Sequence, residues 1–259
     1  MKVKVYLIII IILCGAGLYN VSAQSRNGLY GFTEPGTSSI VLTGLGPGYL
    51  FGDLGGTINN SLLKDFEFER AKIMLSLNYR YMFPNNIGFK INALYGRFEH
   101  ADEGSRNDVR DYNSDVKLGI LATHFEYNLF GGEYAQFPSP HTFYVFAGIG
   151  VLYSDSKIWT LDKTINQQFL GKHIISNDGK NAHTYTITPV VPIGFGYEYE
   201  VTSNWAVGAE YNLHIPFSDY VDGLSPSGSK SKDYLMSLSM TLTYKFGYRP
   251  SSSNRVIWN

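Results

Sequence analysis

The chain has 259 residues, with 21 Lys and Arg against 22 Asp and Glu and a formal net charge of −1. That balance leaves no basic surplus for a nucleic-acid backbone, and a single cysteine excludes an internal disulfide. An aromatic content of 15%, with 20 Tyr and 27 Gly and no long apolar run beyond the start of the chain, suits alternating strands with one face toward lipid better than spanning helices.

Lys2 and Lys4 precede an Ile- and Leu-rich run from Val5 to Leu13, and Val21-Ser22-Ala23 follows before Gln24. This is the layout of a secretory signal peptide, residues 1–23, cleaved after Ala23. The run is shorter than the ~20 residues of a spanning helix, and Leu13 is bulky for a lipidation site at Cys14. Residues 24–37 read as a polar N-terminal periplasmic arm. Residues 38–247 then repeat one unit, and 248–259 form a short polar periplasmic tail.

The unit is a strand of period two. Strand one covers Ser38 to Phe51. Strand two, Lys72 to Phe83, sets Ile73, Leu75, Leu77, Tyr79, Tyr81 and Phe83 against Ser76, Asn78 and Arg80. Pro84-Asn85-Asn86 forms a tight turn. Strand three, Ile87 to Phe98, turns Phe89, Ile91 and Tyr95 to lipid and Lys90 and Asn92 inward. Strand four, Asp115 to Phe130, changes phase: Val116, Leu118 and Ile120 alternate first, then Leu121, Phe125 and Tyr127. Either a β-bulge switches its faces or the interior is apolar near one end. Strand five is Thr142 to Ser154, and the longest gap, about Asp155 to His183, follows it. Strand six runs Thr188 to Tyr199, strand seven Trp205 to Leu213 and strand eight Tyr234 to Phe246. The last carries Met236, Leu238, Met240 and Leu242 on one face and Ser237, Ser239, Thr241 and Thr243 on the other.

Connections alternate long, short, long, medium, long, short, long. The fold expected is therefore an all-β, eight-stranded, antiparallel up-and-down transmembrane β-barrel with short periplasmic turns and long extracellular loops, in the outer membrane of a Gram-negative bacterium with both termini periplasmic. Aromatics gather beside the short turns (Tyr79, Tyr81, Phe83, Phe89, Phe125, Tyr127, Phe143, Tyr197, Tyr199, Trp205, Tyr244 and Phe246), as in a girdle at a membrane interface. A soluble lipocalin-like barrel or β-sandwich would turn the apolar face inward. Strand length, aromatic edge and leader together favour the membrane.

The polar faces carry Arg80, Lys90, Glu126, Glu198, Glu210 and Lys245, expected to pair as a charge network in the lumen. No catalytic constellation, cofactor motif or metal set emerges. Gly148-Ile149-Gly150 and Gly194-Phe195-Gly196 lack the third glycine and the helix of a nucleotide loop and read as glycines relieving crowding in a curved wall. His124 and Glu126 share a face without a further ligand. Asp219 and Asp222 read as turn formers before they read as Ca²⁺ ligands. An eight-stranded interior is just wide enough for side chains, which excludes a general diffusion pore and places function in loops, termini or outer wall.

Gly52-Asp53-Leu54, Phe146-Ala147-Gly148-Ile149-Gly150-Val151, Pro192-Ile193-Gly194-Phe195-Gly196, Trp205-x-x-Gly208-x-Glu210 and Asp219-Tyr220-Val221-Asp222 occur in one order. In that order the chain resembles the small outer-membrane barrel family of Bacteroidota that includes PorG, a component of the type IX protein secretion machinery. Gly223-Leu224-Ser225 departs from that pattern. The resemblance implies a non-enzymatic barrel that anchors periplasmic lipoprotein or ring components of a secretion machine. Tyr134 and Phe137, on the medium turn Gly131 to His141, are the candidate docking side chains. The alternative is a stand-alone barrel that binds a ligand or surface partner through its outer loops, or a narrow transporter.

Overall fold

A computed structural model of the chain describes residues 37–43, 47–51, 72–83, 86–101, 112–132, 139–161, 164–171, 173–225 and 233–247. The leader, arm and tail, Gly52-Asp53-Leu54, and Tyr134 with Phe137 lie outside the described residues.

Ten strands form one antiparallel sheet: β1 (Thr37–Thr43), β2 (Pro47–Phe51), β3 (Lys72–Met82), β4 (Ile87–Ala101), β5 (Tyr112–Gly132), β6 (Ser139–Thr160), β7 (His173–Asn177), β8 (Asn181–Glu200), β9 (Trp205–Pro216) and β10 (Tyr234–Gly247). β1 and β2 occupy one place in the wall, since each pairs with β10 on one side and β3 on the other. β3 to β6, β8, β9 and β10 follow in order, and β10 returns to β1. The sheet is thus an eight-position barrel in which each hairpin neighbour in sequence is a neighbour in space. β7 stands outside that circuit and pairs with the start of β8.

Burial alternates along β5 without a break from Tyr112 to Asn128, and the β4–β5 register runs unshifted from Ile87↔Tyr127 to Ala101↔Asn113. No bulge switches the faces. Val116, Leu118 and Ile120 point into the lumen, and Leu121, Phe125 and Tyr127 point out. The second of the two readings of strand four is correct, and the interior is apolar toward the long loops. Register shifts on β5 occur only beyond Asn128, at the medium turn.

The gap expected from Asp155 to His183 is a correction. β6 continues to Thr160, β8 begins at Asn181, and the described residues between them hold β7 and a one-turn 3-10 helix, Gln167–Phe169. Alternation persists there, but the polarity of the two faces is exchanged. Asp155 and Lys157 face out, while Ile158 and Ala182 are buried. The register explains the exchange. Tyr95↔Gly119↔Tyr153↔Ile187 form one outward row, and the next row toward the loops is Arg97↔Lys117↔Asp155↔Tyr185. The apolar exterior ends between those rows. From Phe143 to Tyr153, at about 3.3 Å per residue and a tilt of about 40°, the apolar band rises about 25 Å, the height of a membrane barrel's lipid-facing band.

Aromatic rings ring the short-turn end: Tyr81 lies 4.9 Å from Phe83, Phe89 5.9 Å from Phe125, Phe143 4.8 Å from Tyr197 and Trp205 4.9 Å from Tyr244. Tyr95 and Tyr153 mark the opposite edge of the band, an edge not expected from the sequence.

The β7–β8 turn is built by Asp178. Its carboxylate accepts from the backbone N–H of Lys180 at 3.0 Å and from Nδ2 of Asn181 at 3.0 Å, and Gly179 takes a φ of +89°. These bonds, the side-chain bond from Asn181 first, hold the carboxyl below its ordinary range. A depressed value in the folded hairpin means stability present above the ordinary carboxylate range and lost as pH falls through the depressed value. Acidification toward pH 3 is therefore expected to lower the protection factors of amides in His173 to Tyr185, exchange rates being referred to the unfolded-chain rate at each pH, while β9 and β10 stay protected, and Asp178→Asn should remove that pH dependence. Equal loss of protection in all three would show that the hairpin does not open by itself.

Ile149 is 72% exposed near the middle of the band. Ile149→Arg should cost ~2–4 kcal/mol in urea titrations of the chain folded into phospholipid vesicles. Lys117→Ala, one row beyond the band, should change the same midpoint by ~0.5 kcal/mol or less. Similar losses at both positions would place the lipid boundary elsewhere.

Candidate functional site: a sealed lumen

Arg80 on β3 and Lys90 on β4 are direct cross-strand neighbours facing inward. Two like charges at that spacing repel, and burial makes each expensive without a counter-ion. The far wall supplies the counter-ions. Arg80 Nη1 donates to Glu198 Oε2 at 2.9 Å and Lys90 Nζ to Glu210 Oε2 at 3.0 Å, both across the lumen. Glu126, on β5, lies 3.4 Å from Arg80 Nε and 4.0 Å from Lys90 Nζ. Lys245, on β10, joins Glu198 at 3.2 Å and Glu200 at 2.5 Å. The six lumen charges named from the sequence thus form one continuous network, and Glu200 extends it to the short-turn rim.

Neutral groups hold the carboxylates in place. Thr243 Oγ1 donates to Glu198 at 2.8 Å, while Tyr144 OH and Asn212 Nδ2 each donate to Glu210 at 3.0 Å. Two rings complete the layer: the Arg80 guanidinium lies 5.0 Å from the Tyr144 ring centre and Lys90 Nζ 4.1 Å from that of Phe146. Gly196 and Gly194 are the cross-strand partners of Tyr144 and Phe146, and a Cβ at either would collide with the ring opposite. The glycine pair singled out in the sequence is therefore the space into which the two rings fold. His124 stacks on Phe146 at 5.1 Å, and its neighbour Glu126 is directed at the cations. Among the described residues no group of three or more His, Cys, Asp or Glu is placed to hold a metal ion.

Above the charges, toward the long loops, the lumen turns apolar. Leu50, Met74, Phe98, Val116, Leu118, Ile120, Leu152, Val190 and Leu235 pack together across it. Val221 joins them from the β9–β10 loop, so that this loop folds into the barrel mouth. The segment from Val221 to Leu224 is buried throughout.

The resemblance motif Asp219-Tyr220-Val221-Asp222 builds this inward fold. Thr186 Oγ1 donates to the Tyr220 carbonyl at 2.9 Å and Ser156 Oγ to that of Val221 at 3.2 Å. The Val221 N–H donates to Asp233 Oδ2 at 2.7 Å and the Leu224 N–H to Asp222 Oδ1 at 3.0 Å. Asp219 accepts from Ser225 Oγ at 2.7 Å. Both aspartates are engaged in holding the turn. Gly223 takes a φ of +94° against Ser156 and Ile158, where a side chain would clash. Leu224, at the departure from the family pattern, packs beside Tyr112, Ile158, Ile165 and Leu170 in a second buried cluster. Apolar residues inside an otherwise acidic turn, Val221 and Leu224, were the sequence signal for a loop that folds inward.

No protein-family model and no curated protein matches the sequence. Among solved structures the chain is similar to Neisserial surface protein A, at 13% identity over 81% of this chain and 97% of that one, with a TM-score of 0.51. It is also similar to a major outer membrane protein from Thermus thermophilus, at 12% identity over 81% and 99% of the two chains, with a TM-score of 0.48. The fold is that of a small outer-membrane β-barrel.

Glu198 binds two buried cations, whereas Glu99 meets Lys72 and Arg97 on the exposed outer wall. Glu198→Gln should cost ~3–5 kcal/mol, as expected when a buried ion pair loses one partner, and Glu99→Gln about 1 kcal/mol or less. Urea midpoints of the two variants in matched detergent measure the difference. Equal midpoints would mean that the lumen is wet enough to screen Glu198 as water screens Glu99.

Proposed function

We propose that this chain is a non-enzymatic, non-conducting barrel of the outer membrane that works through its surfaces, anchoring partner proteins at the short-turn end. The observation that carries this reading is the closure of the lumen at successive levels: ion pairs, an apolar layer and the inward β9–β10 loop. A path for solute would have to break several of these at once. In this reading both termini and the short turns face the periplasm.

The resemblance to the PorG family extends the proposal to the identity of the partner, namely periplasmic lipoprotein and ring components of a type IX secretion machine. The medium turn with Tyr134 and Phe137 is the proposed docking point.

Planar-bilayer recording tests the first half. The purified chain should give no discrete current steps, and deletion of 217–225 should leave it silent, because the charge layer remains. Steady unit conductance of the intact chain would overturn the reading. Affinity capture of the tagged protein from native envelopes, with crosslinking, tests the second half. Recovery of secretion components that is lost with Tyr134→Ala and Phe137→Ala supports it, and recovery of the barrel alone removes it.

A further inference from the structure

Beyond the lipid boundary the outward rows of the wall form a second site. A cleft of about 760 Å³ opens there, bounded by the loop-end parts of β3 to β8. Two register rows organise it: Asp115↔Lys157↔His183, and next toward the loops Asn113↔Trp159↔Asn181. All six of these side chains line the cleft.

The carboxylates of the cleft are already matched. Arg97 grips Asp115 with two bonds, at 2.8 and 3.0 Å, and Lys72 holds Glu99 at 2.9 Å. His183 is bonded to Asp155. Lys157 is exposed and makes no ion pair among the described residues: Asp115, opposite it in register, is held by Arg97, and Asp155, two residues back on its face, by His183. Trp159 shares its face two residues on, at about 7 Å along the strand, and is 36% exposed. Asn113 and Asn181 stand opposite it on either side, at about 5 Å; Asn181 Nδ2 is bonded to Asp178, so Asn181 offers its Oδ1.

An aromatic face flanked by two amides is the chemistry that recognises a sugar ring. The ring's C–H face stacks on the indole, the Asn113 amide donates to and accepts from its hydroxyls, and Asn181 Oδ1 accepts from them. A cation one strand repeat away suits an anionic substituent on that ring. We propose that this cleft binds an anionic saccharide unit, a sugar phosphate or a uronate. An inorganic anion would leave Trp159 and the Asn113 amide unused, and a neutral sugar would leave Lys157 unused. The cleft begins at the first charged row, where Arg97 lines it, so it lies within reach both of a glycolipid headgroup in the adjoining leaflet and of a free glycan. The proposal is independent of any partner at the short-turn end.

The test uses the full chain in phosphatidylcholine nanodiscs, with Trp205→Phe and Trp258→Phe so that Trp159 reports alone. Glucose 1-phosphate should change its fluorescence saturably. Lys157→Gln should weaken that binding about fivefold or more, and glucose and inorganic phosphate should each bind about fivefold or more weakly. Lys157 is exposed, so the variant should keep the wild-type urea midpoint. No saturable change with glucose 1-phosphate overturns the proposal, as does equal binding of inorganic phosphate or an unaffected Lys157→Gln variant. Repeating the titration in nanodiscs that contain lipid A separates the sources. Occlusion of glucose 1-phosphate assigns the site to the leaflet headgroup, and undiminished binding assigns it to a free glycan. A silent barrel without sugar binding would remove this inference and leave the anchoring reading intact.

Discussion

Lipid offers no hydrogen-bond partner to a backbone N–H or C=O, so a sheet that crosses it must close on itself. In this chain the closure falls between β10 and the broken first strand, where Thr37↔Gly247 through Thr43↔Thr241 zip the ends of the barrel together. Everything else follows from closing with only eight positions. At that size the interior is as wide as side chains are long, and whatever points inward has to fit with what points inward from the opposite wall. At the level of the charges the lumen is a core turned inside out, polar where a soluble core is apolar.

That condition accounts for the charge network. Arg80 and Lys90 are adjacent in register and therefore cannot satisfy each other. Their counter-ions come from strands about half a circuit away, and Glu198 and Glu210 reach them because the lumen is narrow. Each cross-lumen pair ties one wall to the opposite one, as a strut would. A buried ion pair is weak evidence of net stability when compared with a well-packed apolar replacement. Its effect here is on register. Sliding β3 against β4 by one residue would turn Arg80 to the lipid and Tyr79 or Tyr81 to the carboxylates, and the cost of that error far exceeds any gain from looser packing.

Sequence showed these features wherever one rule applied along a whole segment. β3, β4 and β10 were readable because across the membrane band the lipid-facing side chains are apolar and most of the inward ones polar. The six charges were readable as one set because strand parity puts them all on the inward face. The rule failed where its premise did. Val116, Leu118 and Ile120 are as apolar as Leu121 and Phe125, so β5 looked like a strand changing sides when it was a strand with two apolar faces. Beyond Tyr153 the outer face meets water, and Asp155 and Lys157 read as loop although the pleat continues. Glu200 escaped by lying one residue past the assigned end of its strand. Tyr144 and Phe146, apolar rings in a polar lumen, could have been found from their partners, since Gly196 and Gly194 leave the space that each fills.

The motifs that suggested a secretion family have structural employment here. Gly194 and Gly196 admit two rings, Glu210 answers Lys90, and Asp219 to Asp222 fold a loop into the mouth. A resemblance resting on these residues therefore argues for a plugged barrel of this particular design, and its bearing on a partner is one step removed. The inner face is committed to holding the wall together, and the middle of the outer face is committed to lipid. The turns at one end and the polar rows at the other are the surfaces free to change. Lys157, Trp159 and Asn113 lie in those rows and are replaceable without disturbing an ion pair, so their chemistry is free for contact with something outside the fold.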